Sequence, residues 1–242
     1  MTRTLAAIVF LFLGLILLMP WLILWSLITG SPDWMYEVTI KMVRAGLQVG
    51  GARVRVEGLE NIPPGVCIFA ANHVSNMDPL AFLPTIPRRV SILAKKEVFR
   101  IPILSTAIRL AKFIPVERGD RESAAESVDL AVQYLKEGLS FAIYPEGTRS
   151  RDGRLLPFKK GAFVMAIEAG VPVVPVSIVG AHKLMRKGEW VMRPGEVVVR
   201  FGRPVDASKY SMQRRGELRE EVEALVAAGL PEEQRPLPAK AD

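Results

Sequence analysis

Seven short apolar, β-branched runs, spaced by turns and helical stretches, constrain this chain more than any other feature. They fall at 53–57, 66–71, 90–94, 113–117, 140–144, 173–178 and 196–201. Residues 101–111, 121–137 and 159–169 read as helices between them, and a charged helix over 208–228 closes the set. Strands that alternate with helices predict an α/β fold with a largely parallel central sheet and flanking helices. In such a sheet the reactive side chains belong at the carboxyl ends of the strands. Within "VPVVPVSIVG", Pro172 and Pro175 suit an edge strand or a bend, because proline brings no N–H to a ladder. The α/β domain is expected over 51–230, and the proline-rich polar stretch 231–242 is expected to be a disordered tail.

The first fifty residues belong to another environment. From Leu5 to Ile28 the chain is apolar except for Gly14, Pro20 and Ser26. As a helix this run is roughly 36 Å long, against a hydrocarbon layer of about 30 Å. It is longer than the apolar core of a signal peptide and carries no small-x-small cleavage site after it. Pro20 removes a helix hydrogen bond, which leaves both a crossing helix and a kinked, re-entrant one open. A second helix is expected from Ser31-Pro32-Asp33, with serine as cap and proline in the first turn. Met35, Val38, Met42, Ala45 and Val49 share one side of it, and Glu37, Lys41, Arg44 and Gln48 the other. That pattern fits a helix packed on the domain or one lying in a membrane interface, and Gly50-Gly51 ends it. Residues 1–50 are thus expected to anchor the chain to a membrane.

Charge narrows the partners. The formal net charge of +7 points to anions: nucleic acid, an anionic membrane or a phosphorylated substrate. Cys67, the only cysteine, excludes an intramolecular disulfide, and with two histidines a zinc site of His and Cys ligands is not expected.

Two stretches carry the candidate chemistry. In "FAANHVSNMDPL" a buried strand ends at Ala71, the chain turns through Asn72-His73, and Asp78-Pro79 opens a helix. A carboxylate on one ring nitrogen fixes the tautomer, so the other nitrogen can take a proton from a substrate hydroxyl. Taken alone, the spacing more often describes a helix-capping aspartate beside a turn histidine that bonds to backbone. In "FAIYPEGTRSRDGRLLPFKKGAF" a strand delivers Glu146, Gly147, Thr148 and Arg149 to one place. Glycine permits close approach of backbone to a ligand, and the guanidinium fork suits phosphate. Glu146 is expected to orient Arg149 or a substrate hydroxyl, or to form a surface ion pair with Arg149. Lys159 and Lys160 at a helix start also favour a nearby anion. "FIPVERGD" presents Arg118 at another strand end, Lys95 and Lys96 end a third, and His182 reads as a loop histidine rather than a second base.

In this order, "NHVSNMDP", "FIPVERGD", "YPEGTRS" and "VPVVPVSI" resemble the motifs of the glycerolipid acyltransferases, specifically the 1-acyl-sn-glycerol-3-phosphate acyltransferases. The likeness runs from about residue 30 to 205; Tyr144 stands where the third motif commonly has phenylalanine. The resemblance implies transfer of a fatty acyl group from acyl-CoA or acyl carrier protein to the sn-2 hydroxyl of lysophosphatidic acid, giving phosphatidic acid. His73 is then the general base and Asp78 its orienting partner. Arg118 and Arg149, with Lys95, hold the phosphate, while Glu146, Gly147 and Thr148 shape the acceptor site. Backbone N–H groups near Gly147 and Thr148 are expected to stabilise the oxyanion. No acyl-enzyme is required, and no G-x-S-x-G elbow is present. No cofactor or metal is implied. Membrane lipids and an acidic carrier, not nucleic acid, account for the positive charge. The domain is expected on the cytosolic face of the cell inner membrane. Other acceptors remain open: glycerol 3-phosphate, another lyso-lipid or an aminoacyl lipid, as does a non-catalytic lipid-binding role.

Overall fold

The computed structural model describes residues 1–117 and 121–237. It begins with a helical hairpin. α1 (Thr2–Leu13) passes through a π-helical turn (Gly14–Leu18) into α2 (Met19–Thr29). The π turn lies just before Pro20, which has no N–H for the preceding carbonyls; widening the turn absorbs the proline without breaking the rod. Thr2–Thr29 is the one helix among the described residues long and apolar enough to cross a membrane, with a mean hydropathy of 2.8. Much of its outer face is bare apolar surface, including Leu5, Trp21, Leu27 and Ile28, and this face associates the chain with a membrane.

Gly30, left-handed at φ +68°, reverses the chain into α3 (Asp33–Gly50). Ser31 holds the turn by accepting the Asp33 N–H at 3.2 Å. The two arms run antiparallel at glycine-to-side-chain distances: Gly46 faces Leu11, and Gly14 faces Met42. α3 has a second neighbour in the domain, so it buries Met35, Tyr36 and Leu47 toward two surfaces instead of one stripe. Val49, on the apolar side of the sequence pattern, is exposed. The helix is therefore packed between the first helix and the domain.

The domain is a seven-stranded sheet in the order β1-β7-β6-β2-β5-β3-β4. The strands are β1 (Ala52–Glu57), β2 (Ile68–Ala71), β3 (Val90–Lys95), β4 (Ile114–Val116), β5 (Ser140–Ile143), β6 (Val173–Val179) and β7 (Gly195–Phe201). All neighbours pair parallel except β6 with β7. The helices are α4 (Met77–Phe82), α5 (Leu104–Leu110), α6 (Arg121–Lys136), α7 (Gly161–Ala169), α8 (Ala181–Leu184) and α9 (Arg215–Ala228). Alternation along β2 sends Ile68 and Ala70 into one core with α6, α7 and α9, and Phe69 and Ala71 into another with α3 and α4. In the second, Phe69 meets Phe82 and Phe201 edge-on, at centroid distances of 6.3 and 5.9 Å.

Two expectations need correction. β6 is not an edge strand: it pairs with β2 and β7 on its two sides, Pro175 opposite Ala70. The missing N–H costs no ladder bond because it faces the gap between the Val176–Phe201 pair and the Val173–Val205 bridge, where the Pro175 carbonyl still accepts from Gly202 N–H. The stretch expected to be a disordered tail is ordered over its first part. Glu232–Gln234 forms a 3-10 turn, Gln234 is buried, and its carbonyl accepts the Leu155 N–H at 2.8 Å. Composition alone misses this docking, since one glutamine with a partner suffices. Residues 238–242 lie outside the described set.

Candidate active site

The connections decide where a site can form. The chain leaves β2 toward β3 and leaves β5 toward β6, on opposite sides of the adjacent β2–β5 pair. A crevice opens at the carboxyl ends of strands where connections diverge in this way. The register places Ala70 beside Ile143, so His73 and Glu146, each three residues further on, arrive level with one another.

His73 sits on the turn between β2 and α4, with its Nδ1 2.8 Å from Asp78 Oδ2. That oxygen also accepts the Val74 and Ser75 N–H groups, both at 2.7 Å. Asp78 is wholly buried, and three donors on a single oxygen are what keeps a carboxylate there. The same carboxylate thus ties down the turn before α4 and steers the histidine; it is not a helix cap, since it lies in the first turn of α4 and bonds N–H groups that precede the helix. A carboxylate partner favours the tautomer with its N–H at Nδ1, which leaves Nε2 as the ring nitrogen turned away from Asp78.

Nε2 belongs to a ring that lines a cavity of about 770 Å³. Its apolar walls come from α3, α5 and the sheet, among them Tyr36, Ile40, Val43, Ile92, Val98 and Ile108. Lys95, Arg149 and Lys159 line it as well, so cations and the base share one space. Arg149 is held by a bond from Nη1 to Asn76 Oδ1, and Lys187 Nζ donates to the Arg149 carbonyl at 2.8 Å and to Thr148 Oγ1 at 3.4 Å. Lys95 pairs with Glu97 at 2.9 Å across exposed surface. Arg118 lies outside the described residues.

Glu146 does something other than the sequence suggested. It is buried, pairs with no arginine among the described residues, and is absent from the cavity wall. Its Oε1 accepts the His73 N–H at 2.6 Å and its Oε2 the Leu156 N–H at 3.2 Å. Burial pushes its carboxyl up to about 8, against the pull of those two bonds. It is a brace between the histidine turn and the 151–157 loop. Gly147 also differs in part: its φ of +69° and its contact with Lys159 need glycine, but its N–H donates to the Tyr144 carbonyl at 3.0 Å. An oxyanion donor therefore cannot be Gly147. Thr148 lies off the cavity wall with its hydroxyl toward Lys187.

Three contributors were not singled out from sequence. Tyr144 stacks on the His73 ring, centroids 4.2 Å apart, and burial together with the Asp78 charge holds its phenol well above the ordinary value. Asn72 exchanges two bonds with Ile178, which ties the histidine turn to β6. Lys187 comes from a loop 38 residues away from Arg149, and no local pattern marks it. For Asn72 a signal existed, a polar side chain closing a buried strand. His182 lies in α8 against Gly153 and does not line the cavity.

A histidine fixed by a buried carboxylate thus lines an apolar cavity edged with cations. Comparison with known proteins places the chain in a family. A family profile described as "Acyltransferase" matches residues 53–179. The chloroplastic 1-acyl-sn-glycerol-3-phosphate acyltransferase of Brassica napus is 37% identical over 157 residues, 64% of this chain and 45% of that one. The 1-acyl-sn-glycerol-3-phosphate acyltransferase of Cocos nucifera is 34% identical over 191 residues, 78% of this chain and 62% of that one. The crystal structure of the 1-acyl-sn-glycerophosphate (LPA) acyltransferase PlsC from Thermotoga maritima superposes with a TM-score of 0.81 at 31% identity, covering 94% of this chain and 93% of that one. The chain belongs to the acyltransferase family. It spans about half to two-thirds of the length of these two curated relatives.

Proposed function

We propose that this protein transfers a fatty acyl group from acyl-CoA or acyl carrier protein to the sn-2 hydroxyl of 1-acyl-sn-glycerol 3-phosphate, yielding phosphatidic acid. The observation that carries this reading is the His73–Asp78 pair facing an apolar cavity that also holds Arg149 and Lys159. His73 Nε2 takes the hydroxyl proton as the oxygen attacks the thioester carbonyl. The tetrahedral intermediate then collapses, the carbon–sulfur bond breaks, and the imidazolium returns the proton to the departing thiolate. Asp78 stays ionised and stabilises the imidazolium throughout. Arg149 and Lys159, with Lys95 and Arg118, take the acceptor phosphate, and the apolar wall takes an acyl chain. The thioester is already activated, so the scheme needs neither a covalent enzyme intermediate nor a cofactor.

The membrane helix fits substrates of this kind. Extracting a chain of about 16 carbons into water costs roughly 0.8 kcal/mol per methylene, a penalty that a site at the bilayer surface avoids. The first helix is tied to the domain near its start by Thr4 and Met192, and packs on α3 and α5 further along. A helix held alongside the domain suits one leaflet of the cell inner membrane, with the domain on the cytosolic face where soluble thioester donors are found. The test is acylation of lysophosphatidic acid by purified protein in detergent, with either donor. His73→Ala is expected to lose at least about 100-fold; a variant as active as the parent, or a parent inactive with both donors, overturns the reading.

A further inference from the structure

We propose that the loop between α8 and β7 is a second membrane contact, seating Trp190 and Val191 among the headgroups of an anionic bilayer. This rests on the membrane reading above. Trp190 is 80% exposed, an unusual state for tryptophan, and Val191 beside it is exposed too. The loop is not loose. Glu189 N–H donates to the Arg186 carbonyl, Arg186 N–H returns a bond to the Glu189 carboxylate, and Arg193 N–H donates to the Leu184 carbonyl. Two large apolar side chains are thus held outward by a fixed backbone.

Isolated exposed hydrophobics need no explanation, but two further observations give these an occupant. The first is continuity with the apolar helix. Met192, next in the chain, is buried, and its N–H and carbonyl both pair with the Thr4 hydroxyl in the first turn of α1, at 3.1 and 3.2 Å. The tryptophan therefore stands where the bare face of α1 begins. The second is charge: Lys183, Arg186, Lys187 and Arg193 lie close to it in the chain, with Glu189 as the one acid in the loop, paired to Arg193, and Lys183 paired to Glu233. Tryptophan with lysine and arginine is the composition favoured at a bilayer's polar boundary, where the ring is half wetted and each cation gains from anionic lipid. An acidic protein would match the cations but not the apolar pair joined to a membrane helix. The contact has a consequence for the site, because Lys187 reaches from this loop to the Arg149 carbonyl. Docking the loop on headgroups sets the phosphate-binding turn at the level of its lipid substrate.

The test uses full-length protein in vesicles of phosphatidylcholine, with and without phosphatidylglycerol. Trp190→Cys and Trp21→Cys are each labelled with a nitroxide; both sites are exposed, and Cys67 is fully buried and stays unlabelled. Collisions with lipid-soluble oxygen and with a water-soluble nickel chelate are then compared. The expected result is lipid contact at position 21 in both vesicles, and at position 190 a shift toward oxygen when phosphatidylglycerol is present. A label at 190 that stays in water while position 21 lies in lipid overturns the proposal alone. The same outcome with immobilisation on adding acyl carrier protein assigns the loop to the carrier instead. Lipid contact at 190 that ignores phosphatidylglycerol overturns the role of charge. Water at both positions overturns the membrane reading, and this proposal with it.

Discussion

At the scale of single residues, the site is built from side chains that serve backbone and chemistry together. Asp78 holds the turn before α4 and orients the His73 ring with the same oxygen. Glu146 braces the base from behind, and its titration gives a sign that can be measured. Burial raises its carboxyl to about 8 from an ordinary 4.5, so between those values the folded chain holds a proton that the unfolded chain has released. Stability from this source is complete below about 4.5, declines as pH rises, and is gone above about 8. Thermal midpoints in detergent should fall across that window in the parent. Glu146→Gln should remove the slope, lose about 1–3 kcal/mol because its amide opposes an N–H donor, and lower kcat through the His73 turn. A parent profile rising with pH would refute the assignment. Tyr144 offers the opposite case, since its hydroxyl is buried without a partner among the described residues. Tyr144→Phe should keep the stack on His73 and activity, and gain up to about 1 kcal/mol in a denaturation series. Residue types at both motifs were legible from sequence; Glu146's role was not, because a glutamate in a turn pattern reads as exposed.

At the scale of elements, all seven strands were visible as β-branched runs, because alternation and burial act locally. Helix ends were less visible. The last helix begins at Arg215, after two 3-10 turns at Ala207–Lys209 and Met212–Arg214, where the charged pattern had suggested one continuous helix. The hairpin of α1 and α3 rests on small residues that periodicity does not weigh. A β-carbon at Gly46 would come within 2.8 Å of Leu11. Gly46→Val is therefore expected to pry the arms apart, at a cost of about 1–3 kcal/mol in overpacking. Limited proteolysis of the protein in vesicles should then cut between the hairpin and the domain; an unchanged digestion pattern would show that the arms yield without separating.

For the whole molecule, a net charge of +7 and a bare apolar helix both favour an anionic bilayer. The electrostatic part should be screened: raising salt from about 0.1 M to 1 M shortens the Debye length from about 10 Å to 3 Å. Binding to anionic vesicles should weaken over that range, while binding to phosphatidylcholine vesicles through the apolar face should hold; equal salt sensitivity for both would count against this division. Fold class, the histidine–aspartate pair and the membrane helix were all determined by sequence, since each follows from contacts within a few residues or from composition. Only tertiary structure decided that Glu146 faces backbone, that Pro175 sits inside the sheet, and that Gln234 is buried. The reason is physical: a hydrogen bond or a burial depends on which distant groups the chain brings alongside, and strand order carries that information where spacing does not.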